Sequence, residues 1–277
     1  MTNLTFISHI LRPYEAVISA ETGHINTHET GAIEATGHKV YPVLTKDGKL
    51  TPDLIRPVLD LHENEHWVEP RLVYVSNPTE VGTVYTKDEL EELYAFCKRH
   101  QLYFYIDGAR LAAALAAEEI THLTFPDMPK LCDAFYIGGT KVGAMFGEAL
   151  VLVNEDFKEH FRFNMKQHGA ILAKGWMIGV QFEELFKDSL YIRLGQRSIA
   201  QMHPIKAAFE KAGIPLLCEA PTNQIFPVFP DELAEQISKK YLTTFQCKPD
   251  KSHTCLRFCT SWATSEEAVK DFCERNF

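Results

Sequence analysis

The chain has no CxxC pair, no apolar run of membrane-spanning length, no excess of basic residues and no GxGxxG motif. Each absence removes a class of protein. The seven cysteines (Cys97, Cys132, Cys218, Cys247, Cys255, Cys259 and Cys273) are odd in number and lack metal-binding spacing. Neither a disulfide framework nor a zinc knuckle is therefore indicated, and buried free thiols in a reducing, cytoplasmic setting are the expectation. A formal net charge of -9 argues against a nucleic-acid or anionic-membrane partner. No membrane span is expected, and the N-terminus lacks the basic-then-apolar form of a signal peptide. With no GxGxxG linking a strand to a helix, a Rossmann-type dehydrogenase is poorly supported.

What is present is an ordinary globular composition, 45% hydrophobic and 23% charged over 277 residues, long enough for one large domain and a smaller one. Strand-like runs occur at EAVISA (15–20), HKVYPV (38–43), RLVYVSN (71–77), LYFYID (102–107), DAFYIGG (133–139) and EALVLVN (148–154). Several are almost continuously apolar, which suits strands covered on both faces. Between the third and fourth lies TKDELEELYAFCKRH, where Thr86 and Glu89 form a capping box and Leu90, Leu93, Tyr94 and Cys97 line one helix face. That β–α–β unit predicts an α/β fold with a doubly wound, mostly parallel sheet. EALVLVN follows too soon for a crossover helix, so it is expected to turn back as one antiparallel strand.

At the N-terminus, Leu4, Ile7, Ile10 and Leu11 have helical spacing, stopped by Arg12-Pro13. From about residue 155 a long helical region runs to about 212, with breaks expected near Gly169 and at His203-Pro204. A compact α/β tail follows: a strand at IFPVF (225–229), a helix from Pro230-Asp231, a strand at CLRFCTS (255–261) and a last helix capped by Thr264 with Glu267. The expected division is a large domain over 1–195 and a smaller C-terminal α/β domain over 196–277.

Ligands of open parallel sheets bind at the carboxyl ends of the strands. That edge would gather Asn77, Asp107 and the Gly138-Gly139-Thr140-Lys141 turn. Pyridoxal 5'-phosphate needs a lysine to carry it, a carboxylate to keep its pyridine nitrogen protonated and donors for its phenolate and phosphate. Lys141 stands among glycines in GGTKVGAMFG, where close packing would desolvate the amine and favour its neutral, nucleophilic form. Taken singly, Asp107-Gly108 reads as a turn, Arg110 as a surface residue and Lys141 as a solvated hairpin lysine. Together, on successive strand ends, they favour the cofactor site.

Four stretches carry a likeness to a known family: ETGHINTHETGAIEATGHKV (21–40), SNPTEVGTVYTKDELEELYAFCKRHQLYFYIDGARL (76–111), DAFYIGGTKVGAMFGEALVL (133–152) and, more loosely, LRFCTSWAT (256–264). The sequence resembles the threonine aldolase and aromatic β-eliminating lyase family, which uses pyridoxal phosphate on an aspartate-aminotransferase-like fold. The resemblance implies that Lys141 carries the cofactor covalently, Asp107 meets the pyridine nitrogen, Arg110 meets the phenolate oxygen and His24 stacks on the ring. It implies that Arg257 grips the substrate's α-carboxylate, a task suited to a guanidinium fork. For His24 the bland alternative is a core histidine, and for Arg257 a rim salt bridge. The implied reaction cleaves a β-hydroxy-α-amino acid such as threonine into glycine and an aldehyde, in a homodimer or homotetramer. The alternatives are β-elimination of an aromatic or sulfur-bearing amino acid, and a non-catalytic family member.

Two departures from the family pattern stand out. Many threonine aldolases have a histidine near the substrate hydroxyl at the place of Thr79, and His28, four residues after His24, is a candidate stand-in. The family also carries a phosphate-binding Gly-Thr loop before the point matching Met1, so truncation at the N-terminus is expected, with the chain as written binding the cofactor weakly or being inactive. Thr140 and Lys174 are the candidates for part of that loop's role.

Overall fold

The six apolar runs form one sheet in the computed structural model, which describes residues 1–277. They are β1 (Glu15–Ala20), β2 (Lys39–Val43), β3 (Glu69–Ser76), β4 (Tyr103–Asp107), β5 (Ala134–Gly138) and β6 (Glu148–Leu152), in the order β2-β1-β3-β4-β5-β6. Every neighbouring pair is parallel except β5 and β6, which pair antiparallel as the short link between them requires.

Alternate strand residues face opposite layers. Ile18, Val73, Val75, Phe104, Ile106, Phe135 and Ile137 point into one core with the helices Pro52–Leu61, Lys87–Arg99 and Leu111–Ala116. Val17, Leu72, Tyr74, Tyr105, Ala134 and Tyr136 point into the other, closed by Phe6 and Ile7 of the helix Thr2–Ile10 and by Phe157 and Phe161. The sheet is therefore covered on both sides, which explains why its strands read as unbroken apolar runs. The Lys87–Arg99 helix starts on the expected capping box: Thr86 Oγ1 accepts from Glu89 N, and Glu89 Oε2 accepts from Thr86 N at 2.8 Å.

The N-terminal helix buries Asn3, Thr5, Phe6 and Ile7, whereas Leu4 and Ile10 are only partly covered. The helix is rotated from the simple apolar stripe because its Asn3 side meets polar partners at the carboxyl end of β4.

The C-terminal part has its own core of Met202, Ile205, Phe209, Ile225, Phe229, Ile237, Leu256, Val269 and Phe272. Its strands are β7 (Gln224–Ile225), β8 (Val228–Pro230), β9 (Thr244–Cys247) and β10 (His253–Cys259), all paired antiparallel to β10. The single strand expected at 225–229 is split, because Pro227 between β7 and β8 has no N–H to give the ladder. The last helix, Glu266–Asn276, is capped by Ser265, whose hydroxyl accepts from Ala268 N; Thr264 instead accepts from Ser261 N. No break occurs at His203-Pro204: the helix Leu190–Lys211 runs through it. One lost backbone hydrogen bond is outweighed there by packing at both ends, with Tyr191 in the large core and Met202, Ile205 and Phe209 in the small one.

Candidate active site

Two glycines bring the ends of β4 and β5 together. A Cβ on Gly108 would lie 1.9 Å from the Tyr136 carbonyl oxygen, and one on Gly138 would lie 2.2 Å from that of Ala109. Only glycine allows this approach, and it sets the Asp107–Arg110 turn against the loop that carries Lys141.

These ends open into a cavity of about 670 Å³ whose wall includes His24, Asp107, Arg110, Lys141 and Arg257. All five residues singled out in the sequence thus face one space. His24 opens the short helix His24–Thr27 beyond β1, Asp107 ends β4, Lys141 lies just beyond β5, and Arg257 reaches in from β10. Thr79 and His28 also line the cavity. Lys174 does not, and the Thr140 hydroxyl is engaged with Glu148 Oε1 at 3.0 Å.

Asp107 is buried and held by neutral donors. Its Oδ2 accepts from the Tyr74 hydroxyl at 2.5 Å and from Asn3 Nδ2 at 3.0 Å, while Oδ1 accepts from Ala109 N at 3.0 Å. Burial, then the Asp107 charge, drives the Tyr74 phenol far above its ordinary range, so it remains a donor. Asn3 also donates to Glu29 Oε1 at 2.7 Å, and its own Oδ1 accepts from Tyr105 at 2.9 Å.

The polar contacts close into a ring. Glu29 Oε1 meets His24 Nδ1 at 2.8 Å; the His24 backbone N–H donates to Glu80 Oε1 at 3.0 Å; Ser76 Oγ donates to the same oxygen at 2.5 Å. Ser76 in turn lies 3.1 Å from the Tyr74 hydroxyl. Burial raises the Glu80 carboxyl to about 7, against the Ser76 hydrogen bond, with the Asp107 charge adding to the rise. Glu29 raises His24 above its ordinary value despite burial. Burial would raise Glu29 as well, but the hydrogen bonds from His24 and Asn3 outweigh it and hold this carboxyl low.

On the other side of the cavity the charges are positive. Burial lowers the Lys141 amine, and Arg110 lowers it further, against Asp107 and Glu148. Glu148 fixes the lysine's loop by accepting from Gly139 N at 2.5 Å and from Thr140. Arg257 is lowered by burial and then by Arg110, and its only side-chain hydrogen bond, at 3.5 Å, is to Thr244 Oγ1. Its guanidinium therefore has no carboxylate within the chain, which leaves it available to an anion.

Sequence reasoning did not single out Asn3, Glu29, Tyr74, Glu80 or Glu148. Their roles arise from contacts between distant segments, although Glu29 and Glu80 were visible as acids inside otherwise apolar or small-residue motifs. The buried carboxylate of Asp107, the lowered amine of Lys141 and the guanidinium of Arg110 fit the ring nitrogen, covalent anchor and phenolate of pyridoxal phosphate.

The chain is similar to proteins already known. A low specificity L-threonine aldolase of Pseudomonas aeruginosa is 30% identical, over 97% of this chain and 78% of its own length. The threonine aldolase of Leishmania major, whose structure is solved, is 47% identical, with a TM-score of 0.96 over 99% of this chain and 80% of its own. An aspartate aminotransferase mutant of Thermus thermophilus shares the fold alone, at a TM-score of 0.72 and 16% identity, over 99% of this chain and 76% of its own. The family model described as beta-eliminating lyase matches residues 1–229, and the chain belongs to that family.

Proposed function

We propose that this chain is a pyridoxal-phosphate-dependent aldehyde-lyase that cleaves a β-hydroxy-α-amino acid such as threonine into glycine and an aldehyde. The observation that carries the reading is the meeting of Lys141, Asp107, Arg110, His24 and Arg257 on one cavity. When bound, the cofactor's protonated pyridine ring supplies an electron sink for the pair left on the substrate's α carbon. Lys141 holds the cofactor, and its lowered amine favours the neutral form that attacks a carbonyl. Asp107, kept in place by Asn3, Tyr74 and Ala109, would meet the pyridine nitrogen. Arg110 would meet the phenolate, His24 would stack on the ring, and Arg257 would take the substrate's α-carboxylate.

The threonine aldolase names of the relatives favour aldehyde release over β-elimination. The division into 1–195 and 196–277 belongs to the same reading and is supported by the separate C-terminal core. A homodimer or homotetramer is supported by exposed Phe163, Leu172, Trp176, Met177, Val180 and Phe186. A cytoplasmic setting is supported by seven free cysteines. No helix is long and apolar enough to cross a membrane. The test is incubation of the cofactor-loaded protein with L-threonine and with L-serine. Acetaldehyde and glycine from threonine are expected; pyruvate from serine without any aldehyde from threonine would place the chain on the β-eliminating branch.

A further inference from the structure

Cleaving the bond between the α and β carbons of a β-hydroxy amino acid needs a base for the hydroxyl proton. Most groups on the cavity wall are committed elsewhere. Asp107 accepts from three donors, and Glu80 Oε1 accepts from two. Thr79 is buried, and its hydroxyl lies 2.7 Å from that of Thr83. Thr83 donates to the Asp47 carbonyl at 2.7 Å, so the Thr79 proton goes to Thr83 and its hydroxyl is occupied. Glu21 is also on the wall, but its Oε2 is buried and without a partner. His24 directs Nδ1 at Glu29, which favours its protonated form.

His28 differs from all of these. It lies one helical turn beyond His24, and the two rings stack with centroids 5.5 Å apart and planes 21° apart. It lines the cavity that also holds Lys141 and Arg257. Its Nδ1 is 2.6 Å from Thr27 Oγ1, and the Thr27 hydroxyl donates to the Gly23 carbonyl at 3.1 Å. Thr27 Oγ1 also lies 3.3 Å from the Thr22 carbonyl, and since both carbonyls can only accept, the one Thr27 proton is drawn to them and its oxygen is left to accept from His28. That arrangement puts the hydrogen of the neutral imidazole on Nδ1 and leaves Nε2 with a lone pair and no partner in the chain.

We infer that His28 Nε2 is the base that takes the β-hydroxyl proton of the substrate, an assignment that rests on the aldolase reading above. The O–H bond breaks as the proton moves to Nε2, and its electron pair becomes the second bond of the aldehyde carbonyl. The bond between the α and β carbons breaks, and its pair stays on the α carbon. The α carbon then takes one proton from water to complete glycine, and His28 returns its own to solvent. The charged groups facing His28 support this assignment. Burial lowers its pKa from the ordinary value, and the nearby His24 and Arg257 lower it further, so the base is neutral where His24 is charged. Two adjacent groups pushed in opposite directions are the usual mark of divided acid and base roles.

The test uses the cofactor-loaded protein and its His28→Asn variant. The kcat for threonine cleavage should fall about 100-fold, the order that a positioned base contributes. Glycine affinity, followed by absorbance, should be unchanged. The acid limb of the wild-type kcat profile should have its midpoint below 6.5 and vanish in the variant. Independently of activity, nitrogen NMR of histidine-labelled protein should show His28 protonated on Nδ1 and titrating below His24. A His28→Asn variant with wild-type kcat overturns the assignment, as does an acid limb that survives His28→Asn and disappears in Glu80→Gln or Glu21→Gln. Absence of aldehyde from the wild-type enzyme overturns the aldolase reading itself and this assignment with it.

Discussion

Replacing Glu29 by glutamine tests how the cavity sets its two histidines apart. The substitution keeps size and an acceptor oxygen but removes the charge that meets His24 Nδ1 at 2.8 Å and Asn3 Nδ2 at 2.7 Å. A hydrogen bond to a charged group is worth about 1.5–3 kcal/mol and a neutral one about 0.5–1.5. The His24 side chain is 43% exposed, so water screens the pair, and the expected loss of stability is about 1 kcal/mol or less.

The pH dependence has a definite sign. His24 is raised above 6.5, so its share of the stabilisation is full below the unfolded value and is lost as pH rises through the folded one. Glu29 is held below 4.5, so its share is present above that value and is lost as pH falls through the folded one. The difference between wild type and Glu29→Gln in urea unfolding should therefore be greatest near about pH 6 and shrink by about pH 9. NMR titration should show His24 falling towards His28 in the variant. An equal stability gap at both pH values, or a wild-type His24 that titrates below His28, would refute the reasoning.

Three further outcomes follow from packing. Asn3→Ala removes hydrogen bonds to Glu29, Asp107 and Tyr105 together and should cost about 3 kcal/mol or more in urea unfolding; a loss under about 1 kcal/mol would show that the N-terminal helix does not brace the carboxylates. Gly108→Ala forces a Cβ to within 1.9 Å of a backbone oxygen and should destabilise by about 3 kcal/mol, read as a lowered Tm. Phe209→Ala empties the centre of the C-terminal core and should cost about 3–5 kcal/mol, with hydrogen exchange rising first in β10 and the last helix.

The large sheet was legible because its strands are short, apolar and punctuated, so the periodic signal is local. The five candidate site residues were legible because His24, Asp107, Arg110 and Lys141 sit in compact motifs at strand ends or on short connecting segments, and Arg257 in the strand-like CLRFCTS run. The supporting ring was not. Asn3 and Asp107 are 104 positions apart, and nothing near Asn3 announces a buried carboxylate. Tyr74 reads as one more apolar strand residue, although its hydroxyl is what reaches Asp107. In the C-terminal part, β9 escaped notice because its four residues, TFQC, have little pattern of their own and form a strand only by pairing with β10. His28 was visible in sequence, but its orientation depended on the short helix that turns His24 and His28 to one face.

The most direct measurement is the visible absorption of the purified chain titrated with pyridoxal phosphate, for wild type and for Lys141→Ala. The account predicts a saturable visible band in the wild type that Lys141→Ala abolishes, while circular dichroism shows both proteins folded. A folded wild type that develops no such band, or a Lys141→Ala variant that keeps it, would contradict the claim that this cavity holds the cofactor through Lys141.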